Sequence, residues 1–167
     1  MFKNTIFRRM TALVLTLALA AAAALPGLAV YPMPIQTASE TEAVYLFNAD
    51  TGKTILNQNA DQQQYVASLT KLMTALLLLE SGKDLNGEVT VPTALTQEFR
   101  DIQNANGTTM GLRIGETVRR IDLLNAMLIV SANDAASVIA YDVGGSVLDF
   151  VKQMNARAEE LGCTGTN

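Results

Sequence analysis

The sequence predicts an α+β fold, because strand patterns come first along the chain and helical patterns follow them. Apolar runs at 43–47 and 54–56 flank the turn signal Asp50-Thr51-Gly52, and together they predict a β-hairpin. After the hairpin, apolar residues recur at helical spacing rather than in alternation. Three such patterns predict helices over 68–81, over 121–130 and from Ser146 to Leu161.

The ends of these helices are also readable. Gly82 follows the first pattern in the position of a helix C-cap. The second pattern stops at Ser131-Ala132-Asn133, and a further helix is expected to start at about Asp134. The third pattern opens on a capping-box sequence at Ser146. A short strand within 87–92 and a loop or small hairpin over 104–116 complete the prediction.

The first 29 residues have the pattern of a secretory signal peptide. Three basic residues precede an uncharged Leu- and Ala-rich stretch at 10–25, and small residues then allow cleavage after Ala29. An uncleaved membrane anchor is the alternative, since the apolar stretch is nearly long enough to span a bilayer. Residues 30–42 contain two prolines and are predicted to be a linker, and 43–167 form the domain that follows.

Composition excludes several classes of protein. The net charge is −4 and becomes more negative without the basic residues of the first segment, which argues against a nucleic-acid-binding protein. The chain has no histidine and a single cysteine, so a Ser-His-Asp triad, a zinc site of the usual type and an internal disulfide are all excluded. We expect Cys163 to be a small buried apolar residue rather than a reactive thiol.

Ser68-Leu69-Thr70-Lys71 is the first candidate for chemistry. Without histidine, a lysine three residues after a serine is the main alternative base, because positions i and i+3 share one face of a helix. The 68–81 helix is apolar on nearly all sides, which predicts burial in the centre of the fold. Burial would lower the pKa of Lys71 and favour the neutral amine. The alternative is a capping serine followed by a solvated lysine.

Ser131-Ala132-Asn133 is the second candidate. It supplies a hydroxyl and a side-chain amide, the groups that such a site uses to relay a proton and bind substrate. By itself the motif is more typical of an ordinary turn and helix cap. Asp134 is interpreted as the cap of the helix that it starts, and Asp142 as a solvated carboxylate.

The residues around both motifs resemble the low-molecular-mass penicillin-binding proteins, specifically the serine D-alanyl-D-alanine carboxypeptidases. Residues 67–75 resemble the nucleophile segment of that family, and 131–136 resemble its second motif. Landmarks between and after these motifs extend the resemblance over 43–167. The resemblance implies an α/β sandwich of the penicillin-binding-protein and β-lactamase-like transpeptidase type.

The resemblance also implies a set of roles. Ser68 would attack the penultimate D-Ala carbonyl of a peptidoglycan stem peptide, and Lys71 would take its proton. Ser131 would pass a proton to the leaving amine, and Asn133 would bind substrate or Lys71. β-Lactams would acylate Ser68, and no metal or cofactor would be needed. The enzyme would be exported and act in the cell envelope, at the outer face of the cytoplasmic membrane.

One expected motif does not occur in the sequence. The family's third motif, Lys-Thr-Gly on a central strand, is absent up to Asn167, so we expect an incomplete catalytic domain that is poorly folded and inactive alone. A C-terminal membrane anchor of the family type would lie beyond the same point. Three alternatives stay open: a serine β-lactamase of the same fold, a transpeptidase, and a non-catalytic envelope protein that binds peptidoglycan.

Overall fold

The computed structural model describes residues 39–166, which divide after Ala60 into two units. In the first unit, β1 (Val44–Asn48) and β2 (Lys53–Gln58) pair antiparallel, with Leu46 opposite Leu56. The turn is stabilised by the Asn48 side chain, whose Oδ1 accepts from the Thr51 N–H at 2.9 Å. The predicted hairpin is therefore confirmed. The predicted signal peptide and most of the predicted linker lie outside the described residues.

The second unit, from Asp61 onward, combines helices with one small sheet, so the predicted α+β class is confirmed. The strands β3 and β4 pair antiparallel, with Val89 opposite Val118. Short 3₁₀ turns at Ala67–Leu69 and Thr93–Leu95 precede the first two helices. In chain order the elements are α1 (Thr70–Glu80), β3 (Glu88–Thr90), α2 (Thr96–Asn104), β4 (Thr117–Arg119), α3 (Arg120–Ile129), α4 (Asn133–Gly144) and α5 (Val147–Glu160).

The helix α4 forms the centre of this unit. Its small and apolar side chains are buried on most sides, which lets α1, α3 and α5 pack closely around it. The core is built from fully buried side chains of α1, α3, α4 and α5 and of the residue after β3, namely Leu78, Leu123, Met127, Val138, Ile139, Phe150 and Val91. The beginning of α4, where Asn133 lies, is therefore held on a rigid support.

The helix α1 differs from the prediction in two ways. Ser68 lies in the 3₁₀ turn before the α-helix rather than in the helix itself. The expectation that α1 is buried on nearly all sides is wrong for the described part of the chain, since Leu72 and Leu79 are 61% and 55% exposed. Only one face of α1, through Ala75 and Leu78, packs against the other described elements.

Two elements were not predicted from the sequence. The helix α2 presents only Phe99 and Ile102 as apolar residues in nine positions, too few to establish a helical period. The strand β4 has three residues, and only its partner β3 defines it. The predicted endings were more accurate. Gly82 adopts a positive φ of 69° just after α1, and the Ser146 Oγ accepts from the Asp149 N–H at 3.0 Å.

Asp142 is not solvated, contrary to the prediction. Its carboxylate receives two hydrogen bonds from the Arg120 guanidinium at 2.7 and 3.0 Å, and the Lys83 ammonium lies 3.5 Å away. The Asp142 side chain is only 10% exposed. These contacts join the last part of α4 to the start of α3 and to the connection after α1.

Cys163 is exposed, so the prediction of a buried apolar role is also wrong. It follows the end of α5, where its N–H donates to the Ala158 carbonyl at 2.9 Å. Between residues 39 and 166, the helices are all too short or too polar to cross a bilayer.

Candidate active site

Ser68 and Ser131, which are 63 residues apart in the sequence, meet at the start of α1. Their hydroxyl oxygens lie 2.7 Å apart, so either hydroxyl can donate to the other. The 3₁₀ turn before α1 places Ser68, and the short connection between α3 and α4 places Ser131. A proton can therefore pass between these two hydroxyls without movement of the backbone.

Lys71 and Asn133 form a second pair between the same two segments. The Lys71 Nζ donates to the Asn133 Oδ1 at 2.7 Å. Burial lowers the pKa of Lys71, because the charged ammonium loses hydration there. All four predicted site residues are thus brought together, and the lysine is closer to the neutral form that a general base requires.

In each of the two segments that carry the serine pair, one residue has a positive φ, a backbone conformation that L-residues rarely adopt. Ala67, directly before Ser68, has a φ of +45°, and Ser131 itself has a φ of +60°. Such conformations cost on the order of 1 kcal/mol each and persist where the surrounding structure enforces them. The other two non-glycine residues with positive φ between 39 and 166 are asparagines, which adopt this conformation more readily. Strained backbone at Ala67 and Ser131 is a feature common at active sites.

A groove of about 490 Å³ begins at this site. The polar side chains that line the groove include Ser68, Lys71 and Asn133. Ser137 and Glu98 also line it, and the Ser137 Oγ donates to the Glu98 Oε1 at 3.2 Å. The rest of its wall is mainly apolar and comes from α2, α4 and α5, chiefly Ile102, Ala136, Ala140, Val147, Phe150 and Met154. A mainly apolar wall with a few polar groups placed along it is typical of a ligand-binding site.

Neither Ser137 nor Glu98 was predicted from the sequence as a site residue. Ser137 lies four residues after Asn133, and this spacing within α4 places both on one helix face, so that signal was available. Glu98 had no comparable signal because α2 was not predicted. Across residues 39–166, no group of three or more His, Cys, Asp or Glu side chains could hold a metal ion.

Asp134 does not act as the cap of α4 that the sequence suggested. Its side chain is buried, and its carboxylate accepts from the backbone N–H groups of Met110, Gly111 and Leu112, each at 3.0 Å. It also accepts from the Ala135 N–H at 2.9 Å. Asp134 therefore anchors the loop before β4 against the Ser131–Asn133 segment.

Similarity to known proteins identifies the family. A family model described as D-alanyl-D-alanine carboxypeptidase matches residues 32–167. The chain belongs to this family. The D-alanyl-D-alanine carboxypeptidase DacF of Bacillus subtilis is 33% identical over 135 residues, which are 79% of this chain and 33% of the relative. A D-alanyl-D-alanine endopeptidase of Pseudomonas aeruginosa is 34% identical over 134 residues, covering 80% of this chain and 41% of the relative.

Solved structures agree with the family. The Streptomyces K15 DD-transpeptidase superposes with a TM-score of 0.66 at 30% identity, over 74% of this chain and 48% of that one. Penicillin-binding protein 5 of Haemophilus influenzae gives a TM-score of 0.59 at 31% identity, over 70% and 34% of the two chains. The predicted penicillin-binding-protein fold is therefore confirmed for the described part. The chain spans a third to about two fifths of the length of the carboxypeptidase and endopeptidase named above.

Proposed function

We propose that the protein is a serine D-alanyl-D-alanine carboxypeptidase that removes the terminal D-Ala from peptidoglycan stem peptides. The observation that supports this most directly is the 2.7 Å contact between the Ser68 and Ser131 hydroxyls, beside a lysine whose pKa is lowered. This arrangement occurs in a chain of the carboxypeptidase family that has no histidine to serve as base.

Each residue of the site has its own role in the proposed reaction. Lys71 accepts the Ser68 proton as the Ser68 Oγ attacks the carbonyl of the penultimate D-Ala, giving a tetrahedral intermediate. As the peptide bond breaks, Ser131 donates its proton to the departing D-Ala amine and regains one from the protonated Lys71, and an ester on Ser68 remains. Water then hydrolyses this ester and regenerates the Ser68 hydroxyl. Asn133 keeps the Lys71 amine in place through the 2.7 Å hydrogen bond and contributes to substrate binding.

The decisive experiment is covalent labelling by a fluorescent penicillin, with the protein expressed from its gene through the natural stop codon. We expect one adduct per molecule by intact mass, located on the tryptic peptide 54–71 that contains Ser68. The Ser68→Ala variant is the control and should take up no label. A folded protein that never labels would contradict the catalytic proposal and favour a non-catalytic role in peptidoglycan binding.

Product analysis then separates the reactions of the related proteins. Release of free D-Ala from a stem peptide ending in D-Ala-D-Ala supports the carboxypeptidase. Cleavage of a crosslinked dimer instead supports an endopeptidase, and transfer to an added amine supports a transpeptidase. Rapid turnover of the penicillin adduct without D-Ala release would favour a β-lactamase.

We also propose that the protein acts outside the cytoplasm after export, in keeping with a peptidoglycan substrate. The support is the basic, apolar and small-residue order of residues 1–29. The expected mature protein begins at Val30, which intact mass of the native protein would reveal. Full-length protein in the membrane fraction would instead support the uncleaved anchor, and full-length protein in the cytoplasm would contradict export.

A further inference from the structure

The loop at 107–112, which lies between α2 and β4, is attached to the active-site segment at two points. At the first point the Asp134 carboxylate accepts three successive backbone N–H groups, from Met110 through Leu112. Asp134 is only 3% exposed, and no cation in the described residues pairs with it. The N–H groups of the loop therefore supply most of the stabilisation that this buried charge requires.

At the second point the same loop contacts Asn133 directly. The Asn133 N–H donates to the Thr108 carbonyl at 2.8 Å. Gly107 packs so closely that a Cβ at this position would lie 3.0 Å from the Asn133 Nδ2 and 3.0 Å from the Ile102 Cγ2. The loop backbone thus borders the nitrogen side of the Asn133 amide, while the oxygen side accepts from Lys71.

These contacts form a continuous path from Asp134 through the loop to Asn133 and on to Lys71. A carboxylate suits the start of this path because both of its oxygens only accept, so all the converging N–H groups can be satisfied. An asparagine of the same shape would turn an NH₂ group toward these N–H donors and would lose some of the hydrogen bonds. The acidic residue after the motif therefore does more than begin a helix.

We propose that Asp134 is a positioning residue for the proposed reaction, which holds the Asn133 amide against Lys71 through the 107–112 loop. It does not touch the reacting atoms. This inference rests on the proposed acylation of Ser68. It adds that the rate of acylation depends on the buried carboxylate of Asp134, the residue that follows the Ser131-Ala132-Asn133 motif.

The test is the Asp134→Asn variant, assayed by saturation kinetics of acylation with a fluorescent penicillin, well below the melting temperature. We expect the limiting acylation rate constant to fall about 10- to 100-fold, because small misplacements of catalytic groups have effects of this size. The half-saturating penicillin concentration should change much less, and the fraction of molecules that finally label should stay near that of the wild type. A purely structural role would lower the labelled fraction and leave the rate constant unchanged.

Asp142→Asn is the matched control. It makes the same substitution of a largely buried aspartate on the same helix, but its partners are Arg120 and Lys83 rather than the loop. We expect it to lower the melting temperature and leave the acylation rate constant unchanged. An equal loss of rate in both variants would overturn the proposal.

Gly107→Ala provides a second variant that leaves Asp134 intact. Its Cβ would press on the Asn133 amide, so we expect a similar fall in the limiting rate constant. If Asp134→Asn does not fold, the result for Gly107→Ala decides. Unchanged rate constants in the variants that fold, with normal labelling of the wild type, would overturn the positioning role alone. A wild type that does not label would instead overturn the proposed function.

Discussion

Replacing Lys71 with methionine is expected to slow the acylation of Ser68 by penicillin about 1,000-fold, the middle of the range for general acid–base catalysis. Methionine fills a similar volume but has no amine, so no described group is left in the lysine's position to accept the Ser68 proton. The measurement is the second-order rate constant of adduct formation by stopped-flow fluorescence or timed intact mass.

The pH dependence of acylation gives an independent check on the same residue. Burial lowers the pKa of Lys71, so the neutral amine becomes available at a lower pH than for a solvated lysine. The wild-type rate should therefore rise with pH through that lowered pKa, and Lys71→Met should lose this rise.

Lys152→Met is the matched control, since that lysine is 67% exposed and pairs only with Asp149 in the described structure. It should acylate at the wild-type rate with the wild-type pH profile. Retention of the wild-type rate by Lys71→Met would contradict the assignment of Lys71 as the base.

Replacing Arg120 with methionine is expected to lower the free energy of unfolding by about 3 kcal/mol at pH 7, because it leaves a largely buried carboxylate without its main partner. The Arg120 and Asp142 side chains are 15% and 10% exposed, and two hydrogen bonds join them. Lys83 lies 3.5 Å from Asp142 and compensates in part. Urea denaturation of the wild type and of Arg120→Met measures the difference in the free energy of unfolding.

Arg119→Met is the matched control for this loss. Arg119 pairs with Asp122 at 2.9 Å, but the two side chains are 53% and 41% exposed, so the ion pair is screened by water. Its removal should lower the free energy of unfolding far less than the removal of Arg120 does. Adding Asp142→Asn to Arg120→Met removes the unpaired charge, so the double variant should be more stable than Arg120→Met alone. Equal decreases in the free energy of unfolding for Arg119→Met and Arg120→Met would contradict the expectation that the buried ion pair stabilises the fold more than the exposed one.

The effect of Arg120 should also depend on pH. Burial would raise the pKa of Asp142, but the hydrogen bonds and charge of Arg120, helped by Lys83, outweigh burial and lower it. The pair therefore stabilises the fold fully above the ordinary aspartate pKa, and the stabilisation is lost as pH falls through the lowered pKa. In Arg120→Met the carboxylate protonates more readily, so the deficit measured at pH 7 should narrow below about pH 4.

Features with a local cause were predictable from the sequence alone. The hairpin turn, the end of α1 at Gly82 and the cap at Ser146 each depend on residues that are close to one another in the sequence. Local side chains therefore determine where these features form. Four residues of the candidate site, Ser68, Lys71, Ser131 and Asn133, were also predictable, whereas Ser137 and Glu98 were not. The absence of histidine restricts the choice of base, and the two short motifs supply the serine, lysine and amide that remain.

The tertiary structure decided the features whose partners are remote in the sequence. Asp134 and Asp142 look alike as acidic residues of one helix, yet one anchors a loop 22 to 24 residues earlier and the other pairs with Arg120, 22 residues earlier. The Glu98–Ser137 contact spans 39 residues and depends on a helix with almost no apolar pattern. A carboxylate is stabilised by whichever donors the fold brings to it. The sequence near a carboxylate therefore specifies its charge, and only the packing of distant segments specifies its role.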